Sequence, residues 1–261
     1  MILRPLEPSP PHKSGDERIS AWRAIEPVQR ASYEACWMIT QPSHAALAGA
    51  IAANLRGENV PELQPDLVRA IALHDSGWGM PDAQAVMSSR SVQQSPPRSF
   101  LQVSVPEFLR AWTQSIEIAG STTSPGGCYM VSRHFWRLAE HRLNGSQDSA
   151  ADCTRLKQFL DFEAARQKKL ISRQTQSASE LETLTDVLQF CDLMSLYLCC
   201  GSREQVEFPE YFGVKIRAGH EPQGLRITPS LIPSGTQLRV AALRHPATKD
   251  ESGREIGFVF C

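Results

Sequence analysis

Phe190-Cys-Asp-Leu-Met-Ser-Leu-Tyr-Leu-Cys-Cys200 is the most apolar helical stretch of the chain, and Asp192 stands inside it. The run closes a long helical period that opens with a capping box at Ser179-Glu-Leu-Glu182 and stops at Gly201. Leu184, Leu188 and Leu196 share one face, and Asp192 completes that face. An unpartnered carboxylate on such a stripe costs several kcal/mol, so it calls for a cation or strong donors.

Upstream, in a helical region expected to begin at Trp37, other helical periods carry polar residues on their inner faces. The first begins at Gln41-Pro42 and ends at Gly57, with Leu47, Ala48, Ile51 and Leu55 inward and His44 on the same stripe. A second runs from Pro65 to Ser76-Gly77, and His74 and Asp75 fall at its last turn on the side that Ile71 buries. A third opens at Ser104-Val-Pro106 and ends at Gly120, and a fourth spans Gly126 to Gly145 with His134 in register with Met130, Val131 and Leu138. A fifth, from about Ser149 to Ser172, places Glu163 and Gln167 between Leu156, Leu160 and Leu170.

Each residue also has a plain structural reading: a satisfied core histidine, a helix cap, or a side chain bonded to a neighbouring helix. The joint order His44, His74-Asp75, Asp192 is more specific than any of its parts. Imidazoles with carboxylates are a ligand set for Zn, Fe, Mn or Ni. An adjacent His-Asp pair can share one ion because the helix is ending there. Glu163, on an apolar stripe, is expected to have a raised pKa suited to proton transfer.

After about Phe208 the texture changes to the short β-prone runs LRITPSLI, TQLRVAAL and REIGFVF, with turn residues between them. The reading is mainly α: a helical body over residues 1–207, with a small β-rich segment over 208–261 packed on it. Ile2 and Leu3 add a strand to that sheet. Residues 5 to 16, rich in proline, read as an irregular opening segment. Charged residues make up 21% and the net charge is −1, so no electrostatic footprint points to nucleic acid or an anionic membrane. No apolar run is long enough to span a bilayer, and the first residues lack the pattern of a signal peptide. A cytoplasmic location is expected. The seven cysteines include no CxxC pair and read as small buried hydrophobes rather than a disulfide framework.

The order H…HD…D on successive helices resembles the HD-domain superfamily of metal-dependent phosphohydrolases. More closely, WMITQPSHAALAG, ALHDSGW, VSRHF and CDLMSLYLCC resemble a bacterial family of unknown function, over most of the chain. The superfamily resemblance implies a helical bundle around a divalent transition metal held by His44, His74, Asp75 and Asp192. One metal is expected, with a second where two further histidines contribute. His134 suits that role. His141, with its Cα roughly 10 Å along the helix, does not. Asp75, Glu163 and Gln167 are then candidate catalytic residues, and Gln41, Arg133 and Arg166 candidate contacts to a small, phosphorylated substrate. Two departures bear on activity: Ser76 and Gly77 follow the His-Asp pair, and the lysine that often comes next is absent. Beside phosphohydrolysis the resemblance leaves open a di-iron oxygenase, as in some HD-fold proteins, and a non-catalytic metal-stabilised module that binds a ligand.

Overall fold

The computed structural model describes residues 1–7, 18–89, 96–145, 148–248 and 252–261. It is mainly helical, with about 56% of residues in helices and 17% in strands. The proline-rich opening segment falls mostly on residues 8–17, outside the described ones.

The chain starts with strand β1 (Ile2–Pro5), the two-residue β2 (Ile19–Ser20) and helix α1 (Ala21–Arg30). Strand β3 (Cys36–Ile39) leads straight into α2 (Gln41–Asn54), whose first turn is capped by Thr40 and accommodates Pro42. Trp37 to Ile39 were expected to begin the helical region. They form a wholly buried strand instead, because β1 and β7 bind both its edges. Helix α3 (Pro65–Leu73) ends at His74, and a 3-10 turn (Ser76–Trp78) passes into α4 (Gly79–Ser89).

Helix α5 (Val105–Thr122) starts at a capping box of Ser104 and Glu107 and runs two residues beyond the expected stop at Gly120. Then come α6 (Pro125–Gly145), α7 (Ala150–Ile171) and α8 (Ala178–Cys200). The capping box of α8 is Ser177 with Glu180, not Ser179 with Glu182 as the sequence suggested. Glu182 is committed elsewhere: it accepts bonds from Tyr129, Arg133 and Arg137 of α6. Gly201 ends α8 in the left-handed region (φ 71°), where glycine carries no steric penalty.

The remaining strands are β4 (Val206–Glu207), β5 (Arg217–Glu221), β6 (Gly224–Thr228), β7 (Gln237–His245) and β8 (Gly253–Val259). They enter two sheets rather than one. The first has the antiparallel order β1-β3-β7-β8, so Ile2 and Leu3 do share a sheet with the late strands, by way of β3. The second has the order β2-β4-β5-β6. All seven cysteines are free, as expected.

Helix α8 is the axis of the core. It packs on α1, α2 and α6 and against β1, and fourteen of its 23 residues are buried. That placement explains the apolar texture of its second half, Asp192 apart. Helices α2 and α3 approach closely where Gly49 faces Ala72: a Cβ at Gly49 would collide with the Ala72 side chain. This contact sets the two helices that carry His44 and His74 side by side.

Candidate metal centre

Four segments bring five ligand-type side chains to one point. His44 comes from the first turns of α2, His74 and Asp75 from the end of α3, His134 from the middle of α6 and Asp192 from α8. His44 and His74 are fully buried, His134 and Asp75 nearly so, and Asp192 keeps 14% of its side chain open.

The contacts form a closed set. His44 Nε2 lies 3.0 Å from Asp75 Oδ2 and 3.5 Å from Asp192 Oδ1. His74 Nε2 lies 3.7 Å from the same oxygen of Asp75 and 3.3 Å from the same oxygen of Asp192. Ligand atoms around an ion with bonds of about 2.1 Å are separated by roughly 3.0–3.4 Å. The four side chains therefore already stand near coordination spacing. His134 Nε2 is 3.8 Å from the second oxygen of Asp192, Oδ2. Among the described residues two groups could hold a metal ion, His44–His74–Asp75 and His74–His134–Asp192, and they share His74.

Protonation decides how the set is balanced. The Nδ1 of His74 is 2.8 Å from the Ile71 carbonyl, which can only accept, so Nδ1 carries the hydrogen. The neutral ring therefore turns the bare lone pair of Nε2, a buried atom without a hydrogen-bond partner, toward two carboxylates. That is tolerable only if a proton or a metal ion sits there. Burial alone would lower the His74 pKa, but Asp75 and Asp192 outweigh it and raise it to about 9. Asp192 is held down to about 2: burial acts to raise it, and His74, His134 and His44 together prevail. His134 goes the other way, to about 4, chiefly by burial.

The His-Asp turn is built by close approach. The Gly77 backbone N–H donates to Ser115 Oγ of α5 (2.9 Å), and a Cβ on Gly77 would overlap the Ala111 carbonyl oxygen. This is why a glycine follows the pair.

A cavity of about 720 Å³ opens on the ligands. His44, Asp75, His134 and Asp192 line it, and its walls are largely aromatic, including Trp22, Trp78, Phe108, Trp112, Phe135 and Tyr211. Two arginines are among its described lining residues, and both are paired. Arg30 binds Glu26, while Arg142 binds Asp148 and stacks over Phe108. No lysine is among the described residues of its lining.

The other sequence candidates divide. Gln41 lines the cavity, with its backbone N–H held by Asp82 and its Oε1 without a partner. His141 lines the cavity too, but belongs to neither ligand group. Glu163 and Gln167 are buried, as their register required, yet they do not face the cavity. Ser132 Oγ donates to Glu163 Oε2 (2.8 Å) and accepts from Gln167 Nε2 (3.0 Å). Ser132 is two residues from His134, about 200° around α6, which puts the pair on the far side of that helix. Burial raises the Glu163 pKa, as expected. Arg133 is spent on Glu182 and Trp136, and Arg166 lies 3.1 Å from Glu163 Oε2 and over Phe162; neither reaches the cavity.

Residues 28–234 match the model of a family described as "Protein of unknown function (DUF3891)". The chain belongs to the DUF3891 family. The matched segment contains all five ligand-type residues and runs into the strands after α8. No curated protein and no solved structure matches the chain.

Ser195, Ser115 and the aromatic walls escaped the sequence reading. Ser195 had a legible signal, since it stands one turn after Asp192 on the same helix. The aromatic residues come from segments too far apart to be grouped by spacing.

Proposed function

We propose that this DUF3891 protein is a metal-dependent hydrolase of a small phosphate ester or nucleotide. The observation that carries the reading is His74: its Nδ1 is committed to a backbone carbonyl while its Nε2 faces two buried carboxylates. His44, His74, Asp75 and Asp192 would hold one divalent transition metal (Fe, Mn, Ni or Zn). The order of these residues along successive helices supports an HD-type centre.

When bound, a divalent metal lowers the pKa of a coordinated water toward neutrality and polarises a phosphoryl oxygen. The chain's own residues supply the rest. Asp75 and Asp192 each offer an oxygen to both His44 and His74, which fixes the ligand atoms in place before substrate arrives. His134, neutral at pH 7, orients the substrate or its attacking water from the Oδ2 side of Asp192. Gln41 offers an unused carbonyl oxygen, and the aromatic walls exclude water and bind the organic part. With Arg30 and Arg142 both paired, the metal is the main positive charge left to face a phosphoryl group.

Elemental analysis of gently purified protein, followed by turnover on a phosphate-ester panel with a metal-stripped control, tests this. About one equivalent of metal and metal-dependent release of phosphate are expected. Metal without turnover on any ester would leave a metal-stabilised binding module and defeat the hydrolase.

A second reading has its own support. Asp192 presents Oδ1 to His44 and His74 and Oδ2 to His134, and no unpaired lysine or arginine is among the described residues lining the cavity; both features suit a dinuclear iron oxygenase acting on an apolar substrate. Nearly two irons per chain would favour it over the hydrolase.

A further inference from the structure

Behind the candidate centre lies one hydroxyl that the ligand set does not account for. Ser195, on α8, is fully buried and does not line the cavity, so it cannot serve as a nucleophile. Its Oγ is 2.8 Å from the backbone oxygen of Asp192 and 2.7 Å from His44 Nδ1. The first contact is the ordinary back-bond of a helical serine. The second is not explained by helix geometry, because it crosses from α8 to α2.

A serine hydroxyl has one hydrogen to give and lone pairs to receive with. The Asp192 carbonyl can only accept. With the Ser195 hydrogen placed on that carbonyl, Oγ must accept from His44, so the imidazole carries its hydrogen on Nδ1. Its Nε2 is then a bare lone pair directed at Asp75 and Asp192, the form that a metal ion requires. Rotating the same hydroxyl reverses the arrangement: Ser195 donates to Nδ1, and Nε2–H donates to Asp75, 3.0 Å away. One hydroxyl thus satisfies the ring with and without an ion in place. His74 has a fixed backbone acceptor instead, at Ile71.

We propose that Ser195 is a positioning residue: with an ion in place its Oγ accepts the Nδ1–H of His44 and holds the ring so that Nε2 faces the metal. The inference rests on the metal-centre reading above. It also ties the centre together mechanically, since the ligand on α2 is oriented by the helix that supplies Asp192.

The test compares Ser195→Ala with Ser195→Thr, which keeps the hydroxyl. Zn²⁺ is titrated into metal-stripped protein against a competing chelator, and ¹H–¹⁵N spectra of labelled histidine in the Zn²⁺-loaded protein report the hydrogen bond at His44 Nδ1–H. Partners of this kind typically change metal affinity 10–100-fold. Ser195→Ala should bind Zn²⁺ weaker by about that factor, with the His44 Nδ1–H losing the downfield shift of a hydrogen-bonded imidazole N–H, and Ser195→Thr should restore both. Wild-type affinity in Ser195→Ala overturns the inference and leaves the metal centre standing. Equal weakening in both variants with an unchanged Nδ1–H shift also overturns it, since packing would then be the cause. A wild-type protein that fails to bind Zn²⁺ removes the metal reading itself, and this inference with it.

Discussion

His74 Nε2 lies 3.3 Å from Asp192 Oδ1, while its Nδ1 is tied 2.8 Å away to the carbonyl of Ile71. A proton and a metal ion therefore compete for one lone pair. The His74 pKa rises from 6.5 to about 9 in the folded protein. The stability this proton confers on metal-stripped protein is full below about pH 6.5 and is lost as pH rises through about 9. Metal binding displaces the proton, so affinity should climb roughly tenfold per pH unit across that window. Melting curves of stripped protein and chelator competition from pH 6 upward check both halves. Affinity that is flat with pH would show that His74 is not a ligand.

The ligand set itself is tested by His44→Ala and Asp192→Ala. Of the five imidazole–carboxylate contacts described above, His44 makes two and Asp192 three, and the two residues sit on different helices. Either change should reduce metal content to a small fraction of wild type while circular dichroism stays helical. Near-normal metal in either folded variant would sink the assignment.

Glu163 gives a different kind of prediction, because it is structural. It is fully buried against Ser132, and its Oε1 has no partner. Burial raises its pKa, so the folded state binds a proton that the unfolded state has lost. Its contribution to stability should decline as pH rises from the usual carboxylate range toward the raised value. Glu163→Gln cannot titrate and should flatten that slope, with metal content and turnover unchanged. Chemical denaturation at several pH values measures the slope, and a collapse of turnover at normal stability would restore Glu163 to the chemistry.

How much of this was legible depended on the scale of the signal. Asp192 could be read because a carboxylate inside an apolar helix is anomalous whatever surrounds it. His44, His74 and Asp75 followed because each sits on a stripe that local periodicity defines. Glu163 and Gln167 were correctly read as buried, but periodicity says only that a residue faces inward, not which neighbour it meets. Their partner is Ser132, on the opposite face of α6 from His134, and that needs the helix packing. Strand β3 was missed for a related reason: four residues carry too little pattern, and its edges are filled by strands about 30 and 200 positions away. Arg133 looked like a phosphate contact only because it adjoins His134 in sequence.

Gly77 and Gly79 stand two residues apart and should respond oppositely to alanine. Neither needs a left-handed backbone, so the contrast is one of space alone. At Gly77 a methyl would overlap the Ala111 carbonyl oxygen and come within 2.6 Å of the Ser115 nitrogen, both of them backbone atoms of α5. Relief requires α5 to move from the turn that carries His74 and Asp75, and overpacking of this kind costs about 1–3 kcal/mol or more. The hydrogen bond from Gly77 to Ser115 would be strained at the same time. At Gly79 an added methyl would meet nothing within 4 Å, and the residue begins α4, where alanine is favoured over glycine by up to about 1 kcal/mol. Gly77→Ala should therefore lower the melting temperature by several degrees and weaken metal binding, because the displaced turn takes two ligands with it. Gly79→Ala should leave binding unchanged and the melting temperature equal or higher. Thermal melts with and without added metal measure both effects. A Gly77→Ala protein as stable and as metal-competent as wild type would mean that α5 does not press on the His-Asp turn.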